Sequence, residues 1–240
     1  MYKFLVRPKW IATHLLVIVL VVVMVNLGKW QLNRHHERKD FNATLVQRFD
    51  APIQPLNELL QSGEPADIEW LPTAVTGTYL QGEDISLVNV SQNGMAGYDA
   101  VTPMLLSDGK IVLINRGFLP LASEFPPAPT GEVSLLGRVR ASTERRTGAV
   151  SDPATGELNE VQRIDIDRLQ QQIDGELVPV YLQLLKSTPA EAPTLSTIVD
   201  PDFSNGPHLS YTVQWLFFAL CAVGGWIALA RREVVRQKKA

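Results

Sequence analysis

The 240-residue chain holds a single cysteine, Cys221. One cysteine forms no internal disulfide, no paired-thiol copper site and no thiol–disulfide motif, so any domain here folds on its core alone. Cys221 lies in an apolar run, where packing accounts for it. Histidine is nearly as scarce: His14, His35, His36 and His208 are the four, with none between residues 37 and 207. That long stretch therefore lacks the base of a Ser-His-Asp arrangement. A Gly-rich phosphate loop, a His-Glu-x-x-His pair and a Gly-x-Ser-x-Gly elbow are missing too. Acidic residues are plentiful but scattered, as on a solvated surface. Nothing in these residues argues for an enzyme. Positive charge is also thin in the middle. Residues 28–212 hold 14 Lys and Arg against 24 Asp and Glu, a net of −10, which excludes nucleic acid as a partner. Eight further basic residues sit in the two tails, as signals of topology and contacts for anionic lipid.

What the chain does have is two long apolar runs, one at each end. The first, Trp10 to Leu27, contains one ionisable residue, His14; the second, about Leu209 to Ala230, carries no formal charge. Each approaches the roughly 20 apolar residues that cross a hydrocarbon core of about 30 Å. A cleaved signal peptide is the competing reading of the first run, since Lys3, Arg7 and Lys9 precede it. Asn26, Leu27, Gly28 and Lys29, however, offer no small-x-small cleavage site, which favours an uncleaved anchor. A buried core helix is the competing reading of the second. Arg231, Arg232, Arg236, Lys238 and Lys239 follow that run, and residues 201–212 before it hold no Lys or Arg. The asymmetry predicts a cytoplasmic C-terminus and, with two spans, a cytoplasmic N-terminus. The middle of the chain then faces outward.

Between the spans the periodicity changes twice. Leu32, Phe41, Leu45, Val46 and Phe49 recur every three to four positions, predicting that the first helix continues to about Arg48 before Pro52 and Pro55 end it. A short helix is expected over Leu56 to Leu60. Strand patterning follows in Thr73–Leu80, Ile85–Val90, Gly97–Leu106, Ile111–Phe118, Glu132–Ala141 and Val178–Lys186. Asp108-Gly109 marks a hairpin, and Pro103 predicts an edge position or a bulge. Residues 143–160 read as a polar loop, Ile166–Ile173 as a short helix, and 187–206 as a linker back to the membrane. The expected fold is a membrane protein with two transmembrane α-helices flanking an extracytoplasmic α+β domain, dominated by an antiparallel β-barrel or sandwich. Its divisions are a cytoplasmic tail (1–9), a first span (10–28), a helical extension and linker (29–64), the β domain with its C-terminal linker (65–206), a second span (207–230) and a basic cytoplasmic tail (231–240).

His208 stands where the second span begins. Pro207 suits the first helical position, with Asn205 or Gly206 as the cap. His208, Tyr211 and Trp215 then fall at i, i+3 and i+7 on one face, with Thr212 beside them. An interfacial aromatic belt explains Tyr211 and Trp215, and His208 less well. A neutral imidazole beside aromatic side chains suits a metal in a flat apolar cofactor such as haem. Around the end of the first span, Trp30 reads as an interface anchor. Arg34, Arg38 or Lys39 would pair with carboxylates such as haem propionates. His35 and His36 read as solvated residues, either being a candidate second ligand. His14, near the cytoplasmic end of the first span, is about a bilayer away and takes a packed or interfacial role. Arg116 closes a strand, either in a buried ion pair or on a partner-binding surface.

These residues also resemble a known family in ordered segments covering almost the whole chain. They are Leu27-Gly28-x-Trp30-Gln31-Leu32-x-Arg34, Gly77-x-Tyr79, Val101-Thr102-Pro103, the run Val112 to Pro120 (VLINRGFLP), Gly137-x-Val139-Arg140, and His208-Leu209-x-Tyr211-x-x-x-Trp215. The chain resembles the Surfeit-locus (Surf-one/Shy-one) assembly factors of cytochrome c oxidase. The resemblance implies a chaperone-like role in respiratory-chain biogenesis, namely transient binding of haem a through His208 for delivery to the catalytic subunit of a haem-copper oxidase. Tyr211, Trp215, Arg34 and Trp30 are the accompanying cofactor-binding residues on this reading. The implied partners are that subunit, other assembly factors and the bilayer. The absence of an obvious mitochondrial presequence favours a bacterial plasma membrane. One departure stands out: the family often has Asn two residues before this histidine, whereas here Asn205 is three before, with Gly206 and Pro207 between. The alternative from a different class is a cofactor-free scaffold that holds oxidase subunits or assembly factors together.

Overall fold

A computed structural model describes residues 3–143, 148 and 150–239 and divides them into two units. The first comprises the chain up to Thr44 together with the residues from Asp202 onward; the second is Leu45–Pro201.

The first unit is built on two helices, α1 (Pro8–Phe49, whose last turn belongs to the second unit) and α5 (His208–Lys239). A 3-10 turn, Lys3–Val6, precedes α1. At 1.5 Å per residue the 42 residues of α1 extend roughly 63 Å, about twice the thickness of a hydrocarbon core. The helical continuation expected past the first apolar run is therefore present. Both helices are long and apolar enough to cross a membrane, and their apolar stretches are almost wholly unburied. Leu15, Leu16 and Val19 on α1, and Phe217 and Leu220 on α5, are all more than half exposed. Apolar surface on this scale needs a non-aqueous neighbour. With no proline or acid before Glu233, α5 continues through Arg231 and Arg232 into the basic tail.

The second unit is a mixed sheet with short helices. Its strands are β1 (Gln54–Pro55), β2 (Pro72–Tyr79), β3 (Ile85–Gln92), β4 (Met95–Leu106), β5 (Ile111–Pro120), β6 (Glu132–Ala141), β7 (Glu160–Val161) and β8 (Leu177–Thr188). Their order is β1-β2-β6-β8-β5-β4-β3-β7, and β2 also pairs with β4 over Gly77–Tyr79. Helices α2 (Leu56–Ser62), α3 (Pro65–Ile68) and α4 (Ile166–Leu169) complete it. All six expected strands are present. The two-residue β1 and β7 carry too little pattern to be read from sequence.

The sheet is not antiparallel throughout. β8 enters between β6 and β5, antiparallel to the first and parallel to the second. The long connections on either side of β6 allow that crossing, where a tight hairpin would not. β5 is consequently a central strand, buried at every position from Ile111 to Leu119. Its two-residue period sends Val112 and Ile114 into one core with Val180 and Leu182, and Ile111 and Leu113 into a second with Val101 and Tyr181.

Pro103 is neither on an edge strand nor at a bulge. It lies where β4 stops pairing with β3, after Val101, and starts pairing with β2, at Met104. At that changeover its missing N–H costs no ladder bond. The bulge lies next door, on β5. Val101 pairs with Asn115 and Ala100 with Gly117, so Arg116 is the surplus residue. The polar loop expected at 143–160 lies partly outside the described residues, at 144–147 and 149. Residues 187–206 are more than a linker. Ser196 forms an isolated antiparallel bridge with Phe118, and Ser187 and Thr188 extend β8.

Candidate functional site

α5 begins at His208, with the Pro207 carbonyl accepting from the Tyr211 N–H at 3.1 Å. The histidine is therefore the first helical residue, in the position expected for the proline. Gly206 takes φ +66°, a conformation that side chains with a Cβ rarely adopt. A Cβ there would also sit 3.3 Å from both Cδ2 and Nε2 of His208, so glycine keeps one edge of the imidazole open. The departure at Gly206-Pro207 thus leaves space at the ring.

His208 is half-buried, and its Nδ1 lies 2.8 Å from Oε1 of Gln31 on α1. A carboxamide oxygen only accepts, so the proton resides on Nδ1 and the Nε2 lone pair is left bare. Nε2 has no hydrogen-bond partner among the described residues. Below this contact the helices meet closely. Gly28 is buried, and Thr212 donates to the Gly28 carbonyl at 3.4 Å and to the His208 carbonyl at 3.0 Å. Above it, Arg38 donates to the carbonyls of Ser204 (3.3 Å) and Asp202 (2.7 Å), and Asn42 to the Phe203 carbonyl (2.6 Å) and Asn205 Oδ1 (3.1 Å). Asn205 is thereby engaged by Asn42, not by His208.

The other expected site residues are only partly gathered. Tyr211 is 46% exposed, off the face that buries Thr212 and Ala219. Trp215 is half-buried, with its ring edge-on to Phe218 at 6.0 Å between centroids. Trp30 is 54% exposed. Arg34 pairs with Glu37 at 2.8 Å, an exposed i,i+3 contact that constrains the guanidinium weakly. Gln31, quoted above only within a motif, makes the direct contact instead. A lone Gln past the end of an apolar run carries no signal that separates it from an exposed helix residue.

His14 is engaged at both nitrogens. The Trp226 indole N–H donates to Nδ1 at 2.9 Å, and Nε2–H donates to the Leu5 carbonyl at 3.2 Å. Its role is packing, and no lone pair remains for a metal.

Arg116 makes a buried ion pair, the first of its two expected roles. Its side chain is 0% exposed, and all five N–H bonds are taken. Nε and Nη2 donate to Glu191 Oε2 at 3.0 and 2.7 Å, Nη1 to Thr102 Oγ1 and the Pro126 carbonyl, and Nη2 also to the Pro127 carbonyl. Tyr79 donates to the other Glu191 oxygen at 3.1 Å, and burial, then the Glu191 charge, pushes its hydroxyl pKa well up. A Cβ on Gly117 would lie 2.7 Å from the Ser196 carbonyl, so the segment after β8 docks tightly at this bulge. Glu191 had no sequence signal, being one acid in a Pro- and Ser-rich stretch. Among the described residues, no group of three or more His, Cys, Asp or Glu side chains is arranged to hold a bare metal ion.

Two helices long and apolar enough to cross a membrane, flanking a mixed sheet unit in sequence, with one oriented imidazole at the head of the second helix, define a class of helix-flanked sheet proteins. The chain matches the SURF1 family over residues 18–220 and belongs to it. A SURF1-like protein of Mycobacterium tuberculosis is 28% identical over 248 residues, covering 99% of this chain and 90% of the relative. Another from Monosiga brevicollis is 28% identical over 228 residues, covering 88% and 85%. A third, from Rickettsia felis, is 31% identical over 108 residues, covering 44% and 46%. Membership carries a general role in cytochrome oxidase assembly, and the family is one of assembly factors.

Proposed function

We propose that this protein binds haem a at the head of α5 and aids its delivery to the catalytic subunit of cytochrome c oxidase. The observation that carries the reading is the Gln31–His208 hydrogen bond at 2.8 Å. Metal-ligating imidazoles are held by their second nitrogen in this way, which fixes the ring and raises its basicity. Gly206 leaves the ligating edge clear. Leu209, Val213 and Phe217 give α5 an exposed apolar surface suited to a porphyrin face and an isoprenoid tail. When bound, haem supplies an iron that accepts the Nε2 lone pair; the chain's own part is to hold and release it. One neutral ligand at a surface site supports moderate affinity, as handover requires.

On this reading both helices span a bacterial plasma membrane, with both termini cytoplasmic and the sheet unit outside. The basic residues after Ala230 and their absence from 201–212 support that orientation. The sheet unit is the surface for the oxidase subunit or other assembly factors. The test is purification from cells making haem a, with and without His208→Ala. Haem retained by the parent chain and lost from the variant is expected; equal occupancy in both would refute the ligand assignment.

A further inference from the structure

The contact between α1 and α5 is closed at two levels and open between them. Near the His208 end, Gly28 brings α1 against Thr212 and Leu216, and the Thr212 hydroxyl reaches the Gly28 carbonyl. Toward the other end, the Trp226 indole donates to His14, with the two ring centroids 5.6 Å apart. Between these levels α5 buries only the methyl group of Ala219 against its surroundings, which fills little of the space that the indole holds open. The result is an apolar groove of about 440 Å³, walled by Val17, Val21, Val22, Val223 and the rings of His14 and Trp226. That volume lies within the range of small-molecule sites. Both nitrogens of His14 are engaged, so its ring adds no free polar group to the wall.

The groove is continuous with the head of α5. Leu209, Val213, Leu216, Leu220, Val223 and Ile227 recur at alternating steps of four and three, and all are exposed. They form one apolar stripe from beside His208 down to the groove wall at Val223. Leu216 approaches Gly28, so the stripe follows the margin of the α1–α5 contact. At 1.5 Å per residue, the groove opens about 14 Å along α1 from Gln31, at Val22, and closes about 26 Å away, at His14. The extended isoprenoid tail of haem a measures about 16 Å, at carbon–carbon bonds of about 1.5 Å, and starts from the ring edge. Added to the half-width of the porphyrin, it ends between those two limits. We propose that this groove takes the isoprenoid tail of the haem held by His208 and thereby sets the rotation of the ring about its iron–nitrogen bond. The inference rests on the haem reading above. A single axial imidazole leaves that rotation free. A tail seated in the groove fixes it, with the propionates, on the opposite side of the ring, toward the His208 end. A bilayer is as apolar as the groove, so seating the tail gains packing and not burial from water, which keeps the hold loose enough for release.

The full-length chain in detergent, titrated with haem a and separately with iron protoporphyrin IX, which lacks the tail, tests this. The parent chain is expected to bind haem a about tenfold more tightly, packing alone supplying the preference, and to give it the stronger Soret circular dichroism. Val22→Trp and Val223→Trp, which fill the groove, are expected to abolish both differences and to leave binding of iron protoporphyrin IX unchanged. Val19→Trp, similarly exposed on α1 but outside the groove, is expected to match the parent. Equal affinity for the two haems in the parent, or a preference for haem a that survives both groove variants, overturns the tail site while leaving His208 standing. The same results would follow if lipid chains alone filled the groove. A parent chain that takes up neither haem overturns the haem reading, and this inference with it.

Discussion

Replacing Glu191 by alanine removes the only carboxylate among the described residues in direct hydrogen-bond contact with the buried Arg116. Three bonds vanish together: those from Nε and Nη2 of Arg116 at 3.0 and 2.7 Å, and that from the Tyr79 hydroxyl at 3.1 Å. The remaining acid, Asp84, stands 3.9 Å from Nη1 and already accepts from Thr102 at 2.5 Å. Removing one partner of a buried ion pair costs about 3–5 kcal/mol. Glu191 is itself 10% exposed, so water reaches the vacated site, and a loss near the lower limit, about 3 kcal/mol, is expected. Glu191→Gln keeps an acceptor and gives up the charge, and should lose about half as much, since charge-assisted bonds are roughly twice as strong as neutral ones. Arg116→Met combined with Glu191→Leu should destabilise less than the sum of the two single changes, because neither charge is left stranded. Urea unfolding of the full chain in detergent, with hydrogen exchange followed on peptides from β5 and from 189–197, reads all three. A cost under about 1 kcal/mol for Glu191→Ala, or strictly additive single changes, would refute the account of this pair.

If His208 ligates haem as proposed, Gln31→Leu should leave the fold intact and weaken haem binding about 10–100-fold, the usual effect of losing the group that orients a ligating histidine; titration with iron protoporphyrin IX measures it. Burial pushes the Asp99 carboxyl pKa up from its ordinary value, against a partial opposing effect of the hydrogen bond from Asn115. A raised carboxyl pKa in the folded state means that ionisation weakens the fold. Stability is fullest below the unfolded pKa and falls as pH rises through the folded one. Asp99→Asn should therefore stabilise the protein at neutral pH, with the gain shrinking as pH falls toward 4; urea midpoints across that range check the sign.

Much of the sheet was readable because its strands alternate or run continuously apolar. Glu132–Ala141 agrees with its expected limits, and the others differ by a few residues at their ends. The parallel entry of β8 was not readable, since strand order depends on long-range pairing that local periodicity does not encode. Arg116 could be flagged because an arginine closing an apolar strand needs a counter-charge. Its partner could not, as Glu191 lies 75 residues away in a stretch with the composition of a linker. The same contrast holds in the helical unit. A histidine at the mouth of an apolar run stands out, whereas Gln31, 177 residues from it, does not. Tyr211 shows the limit of helical spacing. The i+3 position was expected to join the histidine's face, but the contact with α1 selected the i+4 residue Thr212.

The distance in sequence between Arg116 and Glu191 also sets an order of events during synthesis. At roughly 5–20 residues per second, the 75 residues between them take about 4–15 s to emerge. Until then the guanidinium has no glutamate to meet. β8, the neighbour of β5 on the other side, begins at Leu177 and is equally late. Through that interval β5 is an apolar strand paired on one edge by β4, with its other edge open and a charge at its bulge that favours water over burial. The nascent chain thus keeps its most apolar strand from seating early. Closure falls to residues 177–196, so the sheet is completed only just before the last helix leaves the ribosome.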